Sequence, residues 1–508
     1  MTQTTTSSDQ ATDYKAPFVL GLDVGTSSTR ALLFDATGAT VAGVLSQRTY
    51  QLTTSEEGEV SVDADMLLSV VVATIDEALK QTGERTIAAV AIDTFWHSLL
   101  GIDEDGRPLI PLITWEDTRP YAVVADLRKQ LDEKAIHDRT GARFHASYWT
   151  AKLLWLARQQ PDVFKRAAKW LSFGEYMHLK FLGRSVCSLS MASGTGLLIT
   201  RELSWDAELL QFLNVRPEQM PELGDLRDSV KGLTSEYAAR WPALRDVPWF
   251  PAIGDGASAC IGSGCATIDN WSLTIGTSSA IRVVIAPERT IPPLGLWLYL
   301  IDEKRAVLGG ALSEGGNMLN WLDTVLKLPA LKDAEPLVAA VEPDSHGLTI
   351  LPFLSGERSL GWHADARMTI SGIGRHTSPA ELLRAGMESL AARLAMVYAQ
   401  ICSALQVAHD APRVIASGGA LLGSPLLQSI VADSLNAAIY PSRNHEASAR
   451  GAALLALEAL NIIPDVAQVA PALDEPTKPD AGRSKRYQQV VERQKKLYEL
   501  LLGSMEGM

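Results

Sequence analysis

A chain of 508 residues exceeds the roughly 250–300 residues at which a single hydrophobic core stops growing, so two domains are expected. Its composition, 46% hydrophobic and 21% charged, is that of a globular protein, and apolar runs such as Leu67–Ile75 fall well short of the ~18 residues of a membrane span. A formal net charge of −13 excludes general electrostatic capture of nucleic acid, but it permits a small anionic substrate in a locally cationic pocket.

Residues 1–16 are polar, lack an apolar signal core and read as a tail. The apolar, β-branched segments on either side of Gly25-Thr26-Ser27-Ser28 then predict a strand, a tight turn and a strand over residues 18–34. Helical spacing of apolar residues predicts a helix over Asp63–Gln81, followed by a buried strand over Ile87–Ile92. Residues 120–245 read as mostly helical, with Lys152–Leu156 in a buried helix. A turn at Gly254-Asp255-Gly256 opens the second half. There Gly276-Thr277-Ser278-Ser279 repeats the first hairpin tip, with similar flanks, about half the chain length further on.

A strand over Arg305–Leu308 is expected to end at Gly309-Gly310, ahead of a helix containing Met318–Val325. Ser378 as N-cap and Pro379 in the first turn mark the start of a long helix reaching Leu405. Val414–Ser417 reads as a strand running into a glycine turn, with a helix from about Pro425. Residues 466–482 read as a surface loop, and Arg483–Leu502 as an amphipathic helix with Tyr487, Val490, Val491, Leu497 and Leu501 on one face. The four cysteines, Cys187, Cys260, Cys265 and Cys402, are scattered, have no zinc spacing and read as buried thiols in a reducing cytoplasm.

Three groups of residues carry chemistry. The two Gly-Thr-Ser tips can cradle phosphate oxygens, because glycine lets the backbone approach and successive N–H groups form an anion nest. Their duplication suggests two similar domains facing one cleft. No Walker A motif exists, since Gly418-x-x-x-x-Gly423-Ser424 lacks the lysine. Asp255 lies between glycines where the halves meet; it is either a turn residue or a base for an attacking hydroxyl. The clusters Phe95-Trp96-His97 and Trp115–Arg119 mix aromatic faces with polar forks, as a polyol site does. A core histidine at 97 and a structural Asp117–Arg119 ion pair are the competing readings.

The ordered set Gly21–Ser27, Trp115-x-Asp117-x-Arg119, Lys152-Leu-x-Trp155-Leu, Gly254–Gly256, Ile275–Ser278, Leu351–Arg358 and Ser417–Ala420 resembles the FGGY carbohydrate kinase family across residues 18–505. Gly372-Ile373 with Glu381, Leu382, Ala385 and Glu388 is similar to that family's second signature. Within the family, His97–Asp103, Ile113–Arg119 and Thr274–Arg282 look most like gluconate kinases. Trp96 stands where xylulose kinases carry methionine.

The resemblance implies an α/β protein of two actin-like (ribonuclease H-like) domains with a catalytic cleft between them. The expected division is a tail at 1–16, a sugar-binding domain at 17–250 and a nucleotide-binding domain at 251–508. It implies ATP-dependent phosphorylation of a terminal hydroxyl, most closely that of D-gluconate, with Asp255 as base and Asp23 holding Mg²⁺ through water. Gly25, Thr26, Ser27, Gly276 and Thr277 would hold phosphates, and Gly316, Asn320 and Gly419 would lie near adenosine. Trp96, His97, Asp117, Arg119 and Asp255 would contact substrate, with Arg119 or Arg143 as candidates for neutralising a carboxylate. A ketopentose kinase (xylulose or ribulose), an actin-like or chaperone-type ATPase and a non-catalytic sugar sensor stay open. The expected partners are a small sugar or sugar acid, with no nucleic acid and no membrane; a homodimer is left open.

Overall fold

In the computed structural model, which describes residues 14–503, the chain builds two mixed sheets on one plan. The first has the strand order 253–254, 87–94, 18–24, 28–34, 40–49. Phe18–Val24 and Ser28–Phe34 form the predicted hairpin, and Thr40–Thr49 extends it antiparallel. On the other side Ile87–Thr94 and then Ile253–Gly254 run parallel to Phe18–Val24. The second sheet repeats this arrangement. The hairpin Asn270–Ile275 and Ser279–Ile285 is flanked by antiparallel Ala306–Leu312 on one side and parallel Arg413–Ser417 and Ile439–Pro441 on the other. Trp297–Leu300 adds one further antiparallel edge strand.

The central strands are buried on both faces, as Phe18–Val24 and Ala306–Leu312 illustrate, because helices cover the parallel part of each sheet. Ala64–Gln81 starts where Asp63 accepts the Met66 N–H. Pro379–Leu405 starts in a capping box, in which Ser378 Oγ accepts from Glu381 N and the Glu381 carboxylate accepts from Ser378 N.

One junction between the halves is a helix crossing. The helix Asp255–Gly262 follows the last strand of the first sheet, and Ala447–Ala459 follows the last strand of the second. They cross at reciprocal glycines: a Cβ on Gly262 would meet the Ala447 carbonyl at 1.8 Å, and one on Gly451 would meet the Ser258 carbonyl at 1.8 Å. Ala447–Ala459 also packs beneath the first sheet, where Gly21 approaches the Ala449 carbonyl.

Several expectations change. The expected boundary at residue 251 precedes a strand that pairs with the first sheet. Residues 120–245 mix helices with short strands at 169–171, 186–188, 198–199, 204–205 and 222–224. Gly309 and Gly310 lie inside the strand Ala306–Leu312, where side chains of Trp297 and Val397 fill the space their own would take. The last helix spans Ala481–Leu502 and buries Tyr487, Val490, Gln494 and Tyr498, while Leu501 is exposed. A helix running under one corner of a domain buries a stripe narrower than its apolar residues cover. The 466–482 segment is mostly loop, with one 3₁₀ turn at Val466–Gln468. The tail expected at 1–16 lies largely outside the described residues. Cys187, Cys260, Cys265 and Cys402 are free and buried, and no described helix is long and apolar enough to cross a membrane.

Candidate active site

Parallel strand register brings three carboxylates together at one edge of the first sheet. Asp23 pairs with Asp93 and Asp93 with Ile253, so Asp255 follows two residues beyond the same row. Side chains in one row of adjacent strands share a face at about 5 Å spacing. Asp255 opens the helix Asp255–Gly262 and accepts the Gly256 N–H at 2.7 Å.

Like charges in a buried row disfavour full ionisation. Burial pushes the Asp23 pKa up to about 6, against the pull of Arg30, and the Asp255 charge adds to the rise. Arg30 Nη1 lies 3.6 Å from Asp23 and 3.1 Å from Glu446. Asp93 is fully buried, and burial, then the charges of Asp23 and Asp255, hold its pKa well above the usual carboxylate range. Burial also raises Asp255, opposed by Arg282, the Gly256 N–H and Arg358.

The glycines around Asp255 have a packing cause. A Cβ on Gly254 would sit 1.9 Å from the Trp96 ring, and one on Gly256 or Gly194 would meet the same ring at 2.7 or 2.4 Å. Trp96 is thus clamped against the backbone on both sides of Asp255, with its Nε1 donating to the Ser190 carbonyl at 3.0 Å.

His97, beside it, holds φ = 68°, a conformation uncommon outside glycine and one that often marks function. Lys152 stabilises it: buried, with its pKa lowered to about 7 by that burial, Lys152 donates to the His97 and Thr114 carbonyls at 2.5 and 2.7 Å. Burial, then the Arg358 charge, keeps the His97 pKa well below its ordinary value, so the ring is neutral. His97 Nδ1 is 2.5 Å from the Gly194 carbonyl. A carbonyl only accepts, so Nδ1 carries the hydrogen and Nε2 is an acceptor.

The second half supplies the facing wall. Trp297 and Tyr299 stack at 4.3 Å, Tyr299 meets Trp96 edge-on at 4.9 Å, and the Tyr299 and Tyr148 hydroxyls hydrogen-bond across the halves. The same edge strand is fastened to the first half through Leu298 N to the Gly141 carbonyl (3.0 Å) and Leu300 N to Ser193 Oγ (2.8 Å).

Both hairpin tips present exposed residues, Ser27 and Thr277. The tip glycine N–H groups are already used, Gly25 bonding Ser28 O and Gly276 bonding Ser278 O; the expected nest is therefore narrower than the sequence suggests. Trp115 Nε1 donates to Thr26 Oγ1 at 3.0 Å, tying the polar-aromatic cluster to the first tip. Around the second tip, Gly316 N bonds the Gly276 carbonyl at 2.7 Å, and a Cβ on Gly418 would strike the Ile275 carbonyl at 2.4 Å. Positions 276 and 419 face open space, with nothing within 4 Å of a Cβ, so a trough with glycine walls runs beside the tip. Asn320 is exposed on the helix Gly316–Val325.

Two expected substrate contacts are redirected. Asp117 is fully buried; its oxygens accept from Arg119 N, Nε and Nη2 and from Val60 N. Arg119 also reaches Glu59 at 3.4 Å and lies over the Trp155 ring. This is the structural ion pair, saturated from within the first half. Arg143 is likewise taken, by Glu133 at 2.9 Å. Residues that the sequence reading did not select include Asp93, Tyr148, Tyr299, Arg282 and Arg358; all depend on pairings between distant segments. Trp115, Arg282 and Arg358 each stood in a quoted motif, and those motifs were the available signal.

Whether these carboxylates suit a divalent cation can be judged from their partners. Asp93 is buried beside Asp23, and the charge of Asp255 raises Asp23 further; a cation would relieve that crowding. Among the described residues no three His, Cys, Asp or Glu side chains are arranged to chelate a metal directly. The set fits a largely hydrated Mg²⁺, which dehydrates reluctantly.

Comparisons with known proteins agree with this arrangement. The gluconokinase of Bacillus subtilis is 27% identical over 455 residues, covering 87% of each chain. A glycerol kinase of Polaromonas naphthalenivorans is 30% identical over 457 residues, covering 86% of this chain and 90% of its own. The crystal structure of gluconate kinase from Lactobacillus acidophilus superposes with a TM-score of 0.89 at 27% identity, over 95% of this chain and 98% of that one. The N-terminal domain model of the FGGY family of carbohydrate kinases matches residues 18–262, holding the first hairpin and the three aspartates, and the C-terminal domain model matches 271–460, holding the second hairpin. With two actin-like halves closing on one carboxylate row, and both family models matched in order, the chain belongs to the FGGY carbohydrate kinases and is a sugar kinase.

Proposed function

We propose that the protein transfers the γ-phosphoryl group of ATP to the terminal hydroxyl of a sugar acid, D-gluconate giving 6-phosphogluconate. The observation that carries this reading is Asp255, held by Trp96 and its flanking glycines at the seam of the two halves, beside Asp23 and under the charges of Arg282 and Arg358. Similarity to the B. subtilis gluconokinase and the L. acidophilus gluconate kinase supports the choice of acid. The identity to glycerol kinases supports a neutral polyol as the second reading.

In this account Asp255 accepts the proton of the attacking hydroxyl and fixes its direction; in a loose phosphoryl transition state, orientation is its larger contribution. His97 Nε2 accepts a hydrogen bond from a second hydroxyl, and Trp96 covers C–H surface. Thr26, Ser27, Gly25, Gly276 and Thr277 hold phosphate oxygens, while Gly316, Gly419 and Asn320 flank the nucleoside. Asp23 holds Mg²⁺ through water, and when bound that ion neutralises phosphate charge. The contact between Tyr148 and Tyr299 keeps water from the reacting hydroxyl.

The test is ADP release by the purified protein with ATP, Mg²⁺ and a panel of gluconate, xylulose, ribulose, glycerol and erythritol. Turnover with gluconate well above every other compound is expected. Preferential turnover of a ketose or polyol would replace the substrate and leave the mechanism.

A further inference from the structure

Among the described residues Arg282 and Arg358 make no direct ion pair, although both act on Asp255 and Arg358 also acts on Glu116. Nε of each is buried without a hydrogen-bond partner, and neither guanidinium forms an ion pair among the described residues. The other arginines near the cleft are matched: Arg30 to Asp23 and Glu446, Arg119 to Asp117 and Glu59, Arg143 to Glu133. Desolvating a cation without a partner is unfavourable, and in a chain of net charge −13 counter-charges are plentiful. Two arginines in one place, facing a raised carboxylate and closed by no direct ion pair, therefore point to an anion that arrives from outside.

Their location separates the candidate anions. Both act on Asp255 and on Tyr299, so they border the same pocket. Arg358 lies over the Trp115 ring at 5.4 Å and also acts on His97 and Tyr148. Arg282 stands in one cross-strand row with Gly309 and Trp297, and in-register neighbours share a face. It therefore belongs to the aromatic wall that carries Tyr299. It lies three residues into the strand that starts at Ser279, roughly 10 Å along it, which sets it back from the hairpin tip. Its Nε would lie 3.1 Å from a Cβ on Gly256, next to the residue that would receive the sugar.

We propose that Arg282, with Arg358 as the second member of the pair, binds a carboxylate of the substrate and makes the enzyme select sugar acids over neutral sugars. This rests on the sugar-acid reading above and assigns it a residue. A hexonate carries its carboxylate at the opposite end from its terminal hydroxyl; the guanidinium groups would hold that anion on the Tyr299 side, while Asp255 serves the reacting end. The transferred phosphoryl group is the competing anion, and the experiment separates the two.

The experiment compares wild type, Arg282→Leu and Arg282→Lys on D-gluconate and on D-glucitol, its neutral six-carbon counterpart. It records KM and kcat for both, and Kd for gluconate by calorimetry without nucleotide. Truncating one side of a buried charge-assisted contact costs enough that the gluconate-to-glucitol ratio of kcat/KM should fall about 30-fold or more in Arg282→Leu. The fall should appear mainly in KM and be matched in Kd, with Arg282→Lys recovering part of it. Should the leucine variant fail to fold, Arg282→Gln keeps length and hydrogen bonding without charge.

An equal loss on both substrates, carried by kcat with Kd unchanged, would overturn the proposal in favour of a phosphoryl contact, while leaving a gluconate kinase. A wild type that uses another sugar acid with the same Arg282 dependence would replace gluconate and support the proposal. A wild type that neither binds nor phosphorylates any acid would remove both.

Discussion

Asp255 and Asp23 are carboxylates whose pKa values burial raises, and each has a distinct experimental signature. Asp255 is proposed as the base, so Asp255→Asn should lower turnover about 10²–10⁴-fold. Its pKa is raised by burial, so its ionised form adds nothing to folding at neutral pH and the variant should melt no lower than wild type. A large drop in Tm would instead make it structural. For Asp23 the sign follows from linkage. Its folded pKa, about 6, is above the ordinary 3.8, so the folded state holds the proton more tightly. The contribution to stability is present below about pH 4 and is lost as pH rises through 6. In chelator-treated protein, the Tm of Asp23→Asn relative to wild type should therefore climb by a few degrees between pH 4 and 7. A flat difference would contradict the buried, charge-crowded environment described for this row.

Glycine carries opposite roles in the two elements that meet at the site. In the turn before the helix Asp255–Gly262, Gly254 is excluded volume for Trp96, with a Cβ position 1.9 Å from the ring. Gly254→Ala should cost about 1–3 kcal/mol or more, as overpacking does, measured by denaturant unfolding. At the second hairpin tip the Cβ of Gly276 meets nothing within 4 Å, so Gly276→Ala should leave stability within ~1 kcal/mol while raising KM for ATP several-fold. Equal stability losses at both positions would contradict the assignment of one to packing and the other to nucleotide.

These elements also mark what the sequence discloses. Both hairpins, the N-cap at Ser378 and Gly254-Asp255-Gly256 were legible because turn and cap chemistry is local. Asp93, Arg282 and the Tyr148–Tyr299 contact were not, since each acquires its meaning from a register or a crossing between distant segments. Asp117 and Arg119 were legible as a pair, but nothing local distinguished a pair serving substrate from one closed on itself.

On the scale of the whole molecule, the duplicated plan explains the location of the site. Each half ends its parallel strands with a helix, and the two helices cross at Gly262 and Gly451. The strand Trp297–Leu300 belongs to the second sheet yet hydrogen-bonds to the first half, so the wall facing Trp96 is supplied across the seam. In the function proposed above, a cleft built in this way would bring together a phosphate donor at the hairpin tips and an acceptor at the aromatic and charged walls, with Asp255 between them. The most direct measurement is ³¹P NMR of the products formed from ATP and D-gluconate by wild type and Asp255→Asn. The account predicts a phosphomonoester on O6 of gluconate in stoichiometric amount with ADP, and its loss in the variant. Orthophosphate formed at one rate with or without sugar, unaffected by the variant, would contradict it.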